Sequence, residues 1–123
     1  MIHLDTSTLI DALTGSKRSA PRLRELMAGP DPLGISAIVL FEWLRGPRLK
    51  EEIDAQEALF PNVSAVSFSS VEAESAAELY KKLKRPRGRE ADIAIAACAL
   101  THDAQLWVLN KADFKDIPGL QLL

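Results

Sequence analysis

A chain of 123 residues, 47% hydrophobic and 26% charged, has the size of one domain with one core. It holds no apolar run long enough to span a membrane, and MIHLDTST at its start lacks the layout of a signal peptide, so a cytoplasmic protein is the expectation. A single cysteine, Cys98, excludes an internal disulfide and a cysteine-based zinc site, and the net charge of −2 excludes a uniformly basic nucleic-acid binder.

In chain order, Met1 to Leu4 reads as a short strand ended by the turn-prone DTST, with a helix continuing over Leu9 to Leu13. SAPRLRELMAG reads as a helix with Ser19 at its N-cap, Pro21 in its first turn and Gly29 as its stop. After the loop Pro30 to Pro32 comes a strand, Leu33 to Ile35, and then a helix over Ala37 to Arg45. Ser36 caps that helix, and Gly46 and Pro47 end it. Lys50 to Phe60 is amphipathic and helical, and Val63 to Phe68, VSAVSF, reads as a strand. SSVEAESAAELYKKLK opens with a capping-box spacing, Ser69 to Glu72. Arg85 to Arg89 is a loop, and GREADIAIAACAL is the next helix. LWVLN is a further strand, and the terminal LQLL reads as an edge strand. Strands alternate with helices throughout, which argues for a single α/β domain, residues 1–123, with helices on both faces of a parallel sheet. In such sheets, ligand sites form beyond the carboxyl ends of the strands.

Four acids hold that kind of position. Asp5 follows the first strand, and Glu42 is the lone charge between Ile35 and Leu44. Asp92 opens the apolar run ADIAIAACAL, and Asp113 follows LWVLN. Asp92 alone is equally well read as a first-turn acid that complements the helix dipole. Four carboxylates brought together repel one another unless a cation sits between them, and oxygen-only donors suit Mg²⁺ or Mn²⁺. Glu51, Glu52, Asp54 and Glu57 on one helix, and Glu72, Glu74 and Glu78 on another, read as solvated faces. His3 and His102 read as incidental, and Cys98 as a small buried thiol.

Charge is unevenly spread. KKLKRPRGR carries six of the fifteen basic residues, Lys81, Lys82, Lys84, Arg85, Arg87 and Arg89, and no acid. Such a strip is either a solvated helix terminus or an RNA contact, and its continuation into Asp92 favours the latter. On the helix around Glu42, one face of Phe41, Trp43 and Leu44 must pack inward, which leaves another for a dimer or a partner helix.

Taken in order, MIHLDTSTLIDAL, ISAIVLFEWLRG, ADIAIAACAL and LWVLNKADFKDIPGL resemble the PIN domain, in particular the VapC toxins of toxin–antitoxin pairs. The resemblance covers essentially the whole chain. It implies a PIN-like three-layer α/β/α fold with a short, mainly parallel central sheet. It also implies a Mg²⁺-dependent (or Mn²⁺-dependent) endoribonuclease, a homodimer, and inhibition by a VapB-type antitoxin in a hetero-oligomer. Carried onto this chain, the metal-binding and catalytic acids are Asp5, Glu42, Asp92 and Asp113. Thr6 or Ser7 would steady Asp5 through a hydroxyl, or cap the helix that follows, and Asn110 would support the last acid. Asp116 would assist through water, outside the core set. Many relatives have Thr or Ser two positions before the Asn, followed by Arg. Val108 and Leu109 stand there in this chain, and Arg45 or Lys111 is the candidate replacement cation. Ser7, where a haloacid-dehalogenase-type phosphatase needs its second Asp, and the lack of a Gly-rich turn after the first strand exclude two other α/β readings. The rival reading is a catalytically weak PIN module that binds RNA or antitoxin.

Overall fold

The computed structural model describes all 123 residues. Strand β1 (Ile2–Leu4) lies at the centre of a three-stranded parallel sheet, between β2 (Leu33–Gly34) and β3 (Gln105–Trp107). Parallel bridges extend it at both edges, Ser36 with Val66 and Leu106 with Leu122. All three β1 side chains are buried, so both faces of the sheet are covered, as a parallel sheet requires. The expected α/β architecture is therefore present.

Six α-helices follow from local signals. Helix α1 (Thr6–Leu13) starts directly after β1, earlier than the sequence suggested, because Thr6 and Ser7 enter the first turn. Helix α2 (Ala20–Ala28) has Pro21 in its first turn, where a missing amide does no harm, and ends at Gly29. Helix α3 (Ala37–Arg45) is capped by Ser36, whose hydroxyl oxygen accepts from the Val39 amide at 3.2 Å. Helix α4 (Lys50–Leu59) closes its first turn with Glu52 accepting from the Leu49 amide. Helix α5 (Ser70–Lys82) forms the expected capping box between Ser69 and Glu72. Helix α6 (Glu90–Thr101) packs along α5 and is buried without interruption from Ile93 to Ala99, which makes it a central element rather than a surface one.

Three expectations change. Val63 to Phe68 is not a strand: Asn62–Ser64 form a 3₁₀ turn behind Pro61, Val63 is exposed, and only Val66 reaches the sheet. There the Val66 amide donates to Ile35 and the Val66 carbonyl accepts from Ala37. Glu72 is not on a solvated face. It is buried, because the capping box turns its carboxylate back over Ser69. LQLL contributes a single bridge at Leu122 rather than a strand.

Candidate metal centre

The carboxyl ends of the strands carry the acids. Asp5 ends β1 and occupies the N-cap position of α1, yet its side chain makes no capping bond. Its amide donates to the Trp107 carbonyl at 3.0 Å, which ties it to the end of β3. Thr8, buried on α1, donates its hydroxyl to the same carbonyl at 2.9 Å. Glu42 arrives from the middle of α3, and Asp92 from the first turn of α6. Asp113 closes a 3₁₀ turn (Lys111–Asp113) that Asn110 caps by accepting from the Ala112 amide at 3.2 Å. Burial is graded across the four: Asp5 is buried, Glu42 and Asp92 are half-buried, and Asp113 is exposed.

These acids feel one another. Burial, first, and then the Asp92 charge raise the Asp5 carboxyl to about 6, with Glu42 and Asp113 adding to the push and the Thr6 amide opposing it. Asp92 is also raised, by burial and then by Glu42 and Asp113, although Arg89 pulls it back and the start of a helix favours a negative charge. Two like charges 4–6 Å apart repel by about 3–4 kcal/mol at an effective dielectric of 20. No cation of the chain pairs with Asp5, Asp92 or Asp113 through their carboxylates. Glu42 alone has a partner, Arg45, at 3.4 Å, whose guanidinium also lies 5.3 Å from the centre of the Phe41 ring.

The supporting residues differ from expectation in one respect. The Thr6 hydroxyl donates to Glu42 Oε1 at 2.6 Å, so it steadies the α3 acid and not Asp5. Ser7 is exposed and makes no side-chain hydrogen bond. Asn110 has a structural role in the turn before Asp113. Val108 is buried in the core, whereas Leu109 is exposed. Arg45 stands at Glu42, as offered, while Lys111 is exposed and unpaired.

The donor set suits a hard divalent cation. It is all carboxylate, and its most buried member lacks a counter-charge. No three of these side chains stand close enough together to hold a metal ion between them. A closed cage is not what Mg²⁺ uses: it keeps several waters and takes one or two carboxylates directly.

The basic strip divides. Lys81, Lys82, Lys84, Arg85 and Arg87 are exposed. Arg89 is half-buried and turned toward the acids. It grips both oxygens of Asp116, at 2.9 and 2.7 Å, and donates to the Asp113 carbonyl at 3.0 Å. In the sequence Arg89 reads as one more cation of the strip and Asp116 as an acid near the metal through water. Nothing in the local sequence marks two residues 27 positions apart as a pair. Around them lies an open, polar groove of about 690 Å³, lined by Lys84, Arg85, Arg89, Asp113, Lys115 and Asp116.

The family model for the PIN domain matches residues 2–120. The chain belongs to the PIN domain family. Ribonuclease VapC19 of Mycobacterium tuberculosis is 36% identical over 124 residues, spanning 96% of this chain and 95% of that protein. VapBC2 from Rickettsia felis, solved bound to a DNA fragment from their promoter, superposes with a TM-score of 0.82 at 28% identity, covering 100% of this chain and 98% of that one. A toxin–antitoxin complex from Klebsiella pneumoniae gives 0.75 at 28% identity, covering 98% and 95%.

Proposed function

We propose that this PIN domain is the toxin of a toxin–antitoxin pair, a divalent-metal-dependent endoribonuclease acting on RNA phosphodiester bonds. The observation that carries the reading is the set of four mutually repelling acids, three of them with no cation of the chain's own on their carboxylates. The related ribonuclease and the toxin–antitoxin complexes of the same fold support it.

Asp5, Glu42, Asp92 and Asp113 would hold Mg²⁺ or Mn²⁺. Once bound, such an ion neutralises phosphate charge and brings a water to nucleophilic strength near neutral pH. The residues of the chain do the rest. Thr6 fixes the direction of Glu42, and Trp107 fixes the backbone of Asp5. The buried Asp5 carboxylate, raised to about 6 in the metal-free chain, is still ionised at pH 7 and so available to a cation. Lys84 and Arg85 on the groove rim offset the repulsion between an acidic site and an RNA backbone.

A VapB-type antitoxin is the proposed inhibitor. Exposed Phe41 and Leu44 flank Glu42 and offer it apolar area beside the acids, while Trp43 faces the core. The cytoplasm as location and a homodimer as the free state belong to the same reading. No helix is long and apolar enough to cross a membrane. Light scattering of the isolated toxin at micromolar concentration checks the dimer, and a monomer there removes it.

The deciding experiment is cleavage of an end-labelled structured RNA with Mg²⁺, with Mn²⁺ and with EDTA, beside Asp92→Asn. The expected result is metal-dependent cleavage, lost in the variant, leaving 5′-phosphate ends. A cyclic phosphate product would point to attack by the ribose 2′-hydroxyl and sink the proposal. The second reading, a binding module with weak catalysis, is favoured by one observation: neither a hydroxyl nor a cation stands at Val108 and Leu109. RNA binding without cleavage by a folded, antitoxin-free protein would establish it.

A further inference from the structure

Arg89 lies at the N-cap of α6, three residues before Asp92, and its guanidinium joins the adjacent loop and the start of α6 to a segment 24 to 27 residues further on. Nη1 and Nη2 take the two oxygens of Asp116 as a fork, Nη2 also donates to the Asp113 carbonyl, and Nη1 reaches the Arg85 carbonyl at 3.3 Å. One planar group thus ties together the end of the basic loop, the start of α6 and the turn that carries the last acid. The Arg89 side chain is 22% exposed, where the exposed neighbours of the strip project into solvent. A forked, partly shielded Arg–carboxylate pair is the kind of surface ion pair that holds one geometry.

The turn needs such a tie. Asp113 is exposed and makes no side-chain hydrogen bond. Phe114 and Ile117 anchor the segment in the core behind it, but they fix its depth and not its approach to α6. The Arg89 bond to the Asp113 carbonyl does that directly.

Resting on the nuclease reading above, we propose that Arg89 and Asp116 form a clamp that holds the Asp113 turn against the start of α6, which makes both of them positioning residues for the metal site. With its fork filled by Asp116, Arg89 is withdrawn from RNA, and phosphate contact falls to Lys84, Arg85 and Lys115 on the groove rim.

The test is Asp116→Asn, which keeps the shape and removes the fork's charge, beside Asp116→Glu and Arg89→Lys. Mn²⁺ affinity is read by electron paramagnetic resonance without RNA. kcat, KM and the salt dependence of KM are read with RNA. Losing an outer partner of a metal ligand typically weakens binding or activity by about 10–100-fold, so Asp116→Asn should bind Mn²⁺ roughly tenfold more weakly and lose about tenfold in kcat. KM and its salt slope should not move, and circular dichroism should match the wild type. Arg89→Lys should behave like Asp116→Asn, because an ammonium cannot fork, while Asp116→Glu should recover part of both losses. If Asp116→Asn equals the wild type in Mn²⁺ affinity and kcat, there is no clamp. If Arg89→Lys raises KM while kcat and Mn²⁺ affinity stay at the wild-type level, Arg89 is an RNA contact and the positioning role is overturned. A wild type that neither binds Mn²⁺ nor cleaves RNA overturns the nuclease reading, and the clamp's role with it.

Discussion

The two ends of helix α6 handle buried charge in opposite ways. At its N-terminal end Asp92 meets Asp5, Glu42 and Asp113, all of one sign. At its C-terminal end His102 lies 3.7 Å from the buried Glu72 and its ring centre 6.1 Å from that of His3, so one carboxylate and two imidazole rings share the space. Strand β1 samples both environments two residues apart. Burial drives His3 down to about 4, helped by His102 and the N-terminus, and drives Asp5 up to about 6. In each case the low-dielectric interior favours the neutral form. At pH 7 the outcomes differ: His3 has shed its charge, and Asp5 has not. One end of the helix resolves its electrostatics within the chain, while the other retains a charge that a cation from outside can match.

The largest effect expected from breaking this contrast is on catalysis. Asp92→Asn should lower metal-dependent cleavage by at least about 100-fold, on the scale seen when a single charged group at a reacting centre is removed. His102→Gln, at the other end of the same helix, should leave the rate within about twofold, since it lies away from the acids. Single-turnover cleavage of one RNA at saturating Mg²⁺ compares the two. Equal losses would mean that the rate follows the integrity of α6 and not its acid end.

The next effect is on acid stability. His3 is almost fully buried, and neither ring nitrogen has a hydrogen-bond partner. Its folded pKa of about 4 lies below the ordinary 6.5, so between those values the unfolded chain binds more protons. Stability from this group is complete above about 6.5 and falls as pH drops through 4, by up to about 3 kcal/mol. In urea titrations from pH 7 to 4, His3→Gln should lose less stability than the wild type.

Asp5 runs the other way in nearly the same window. Its folded pKa of about 6 exceeds the ordinary 3.8, so the folded chain binds more protons between them. Stability is highest below about 3.8 and declines as pH rises through 6. In EDTA at pH 7.5, Asp5→Asn should therefore be more stable than the wild type by on the order of 2 kcal/mol, an advantage that disappears near pH 4. Mn²⁺ should reverse the order: a ligand at 100 times its Kd adds about 2.7 kcal/mol to a protein that binds it, and Asp5→Asn should gain little. A metal-free Asp5→Asn that is less stable at pH 7.5 would show that the carboxylate makes net favourable contacts.

How much of this was legible beforehand depends on the kind of signal. Helix ends marked by a single residue type were readable, as with Ser36 before α3, Gly29 after α2 and the Ser69–Glu72 spacing. So was the burial of Ile93 to Ala99, since the eight-residue apolar run Ile93 to Leu100 has no polar face to offer water. The acids were legible as charges out of place, which is a local property. Partnerships between distant residues were not. Thr6 bonds to Glu42 across 36 positions, and Arg89 to Asp116 across 27. Val63 to Phe68 alternates like a strand, but Pro61 and the turn after it leave only Val66 in reach of the sheet. A capping glutamate and a solvated one look alike in sequence; here the capping box and the end of α6 that carries His102 together enclose Glu72.

The smallest expected effect sharpens the C-terminal side of the comparison. Ser69→Ala removes the N-cap of α5 and the hydroxyl that, ahead of all other influences, holds the Glu72 carboxyl below its usual range. Loss of a Ser cap costs about 1 kcal/mol, and chemical denaturation should register that loss without any change in cleavage. Because Glu72 also faces His102, a Glu72 carboxyl released from Ser69 should move the His102 ring-proton signals in NMR spectra at fixed pH. An unmoved His102 would mean that the two groups share a neighbourhood without sharing charge. The chain's own neutralisation at that end would then rest on burial of His3 alone, and the contrast with the acid end would be one of degree.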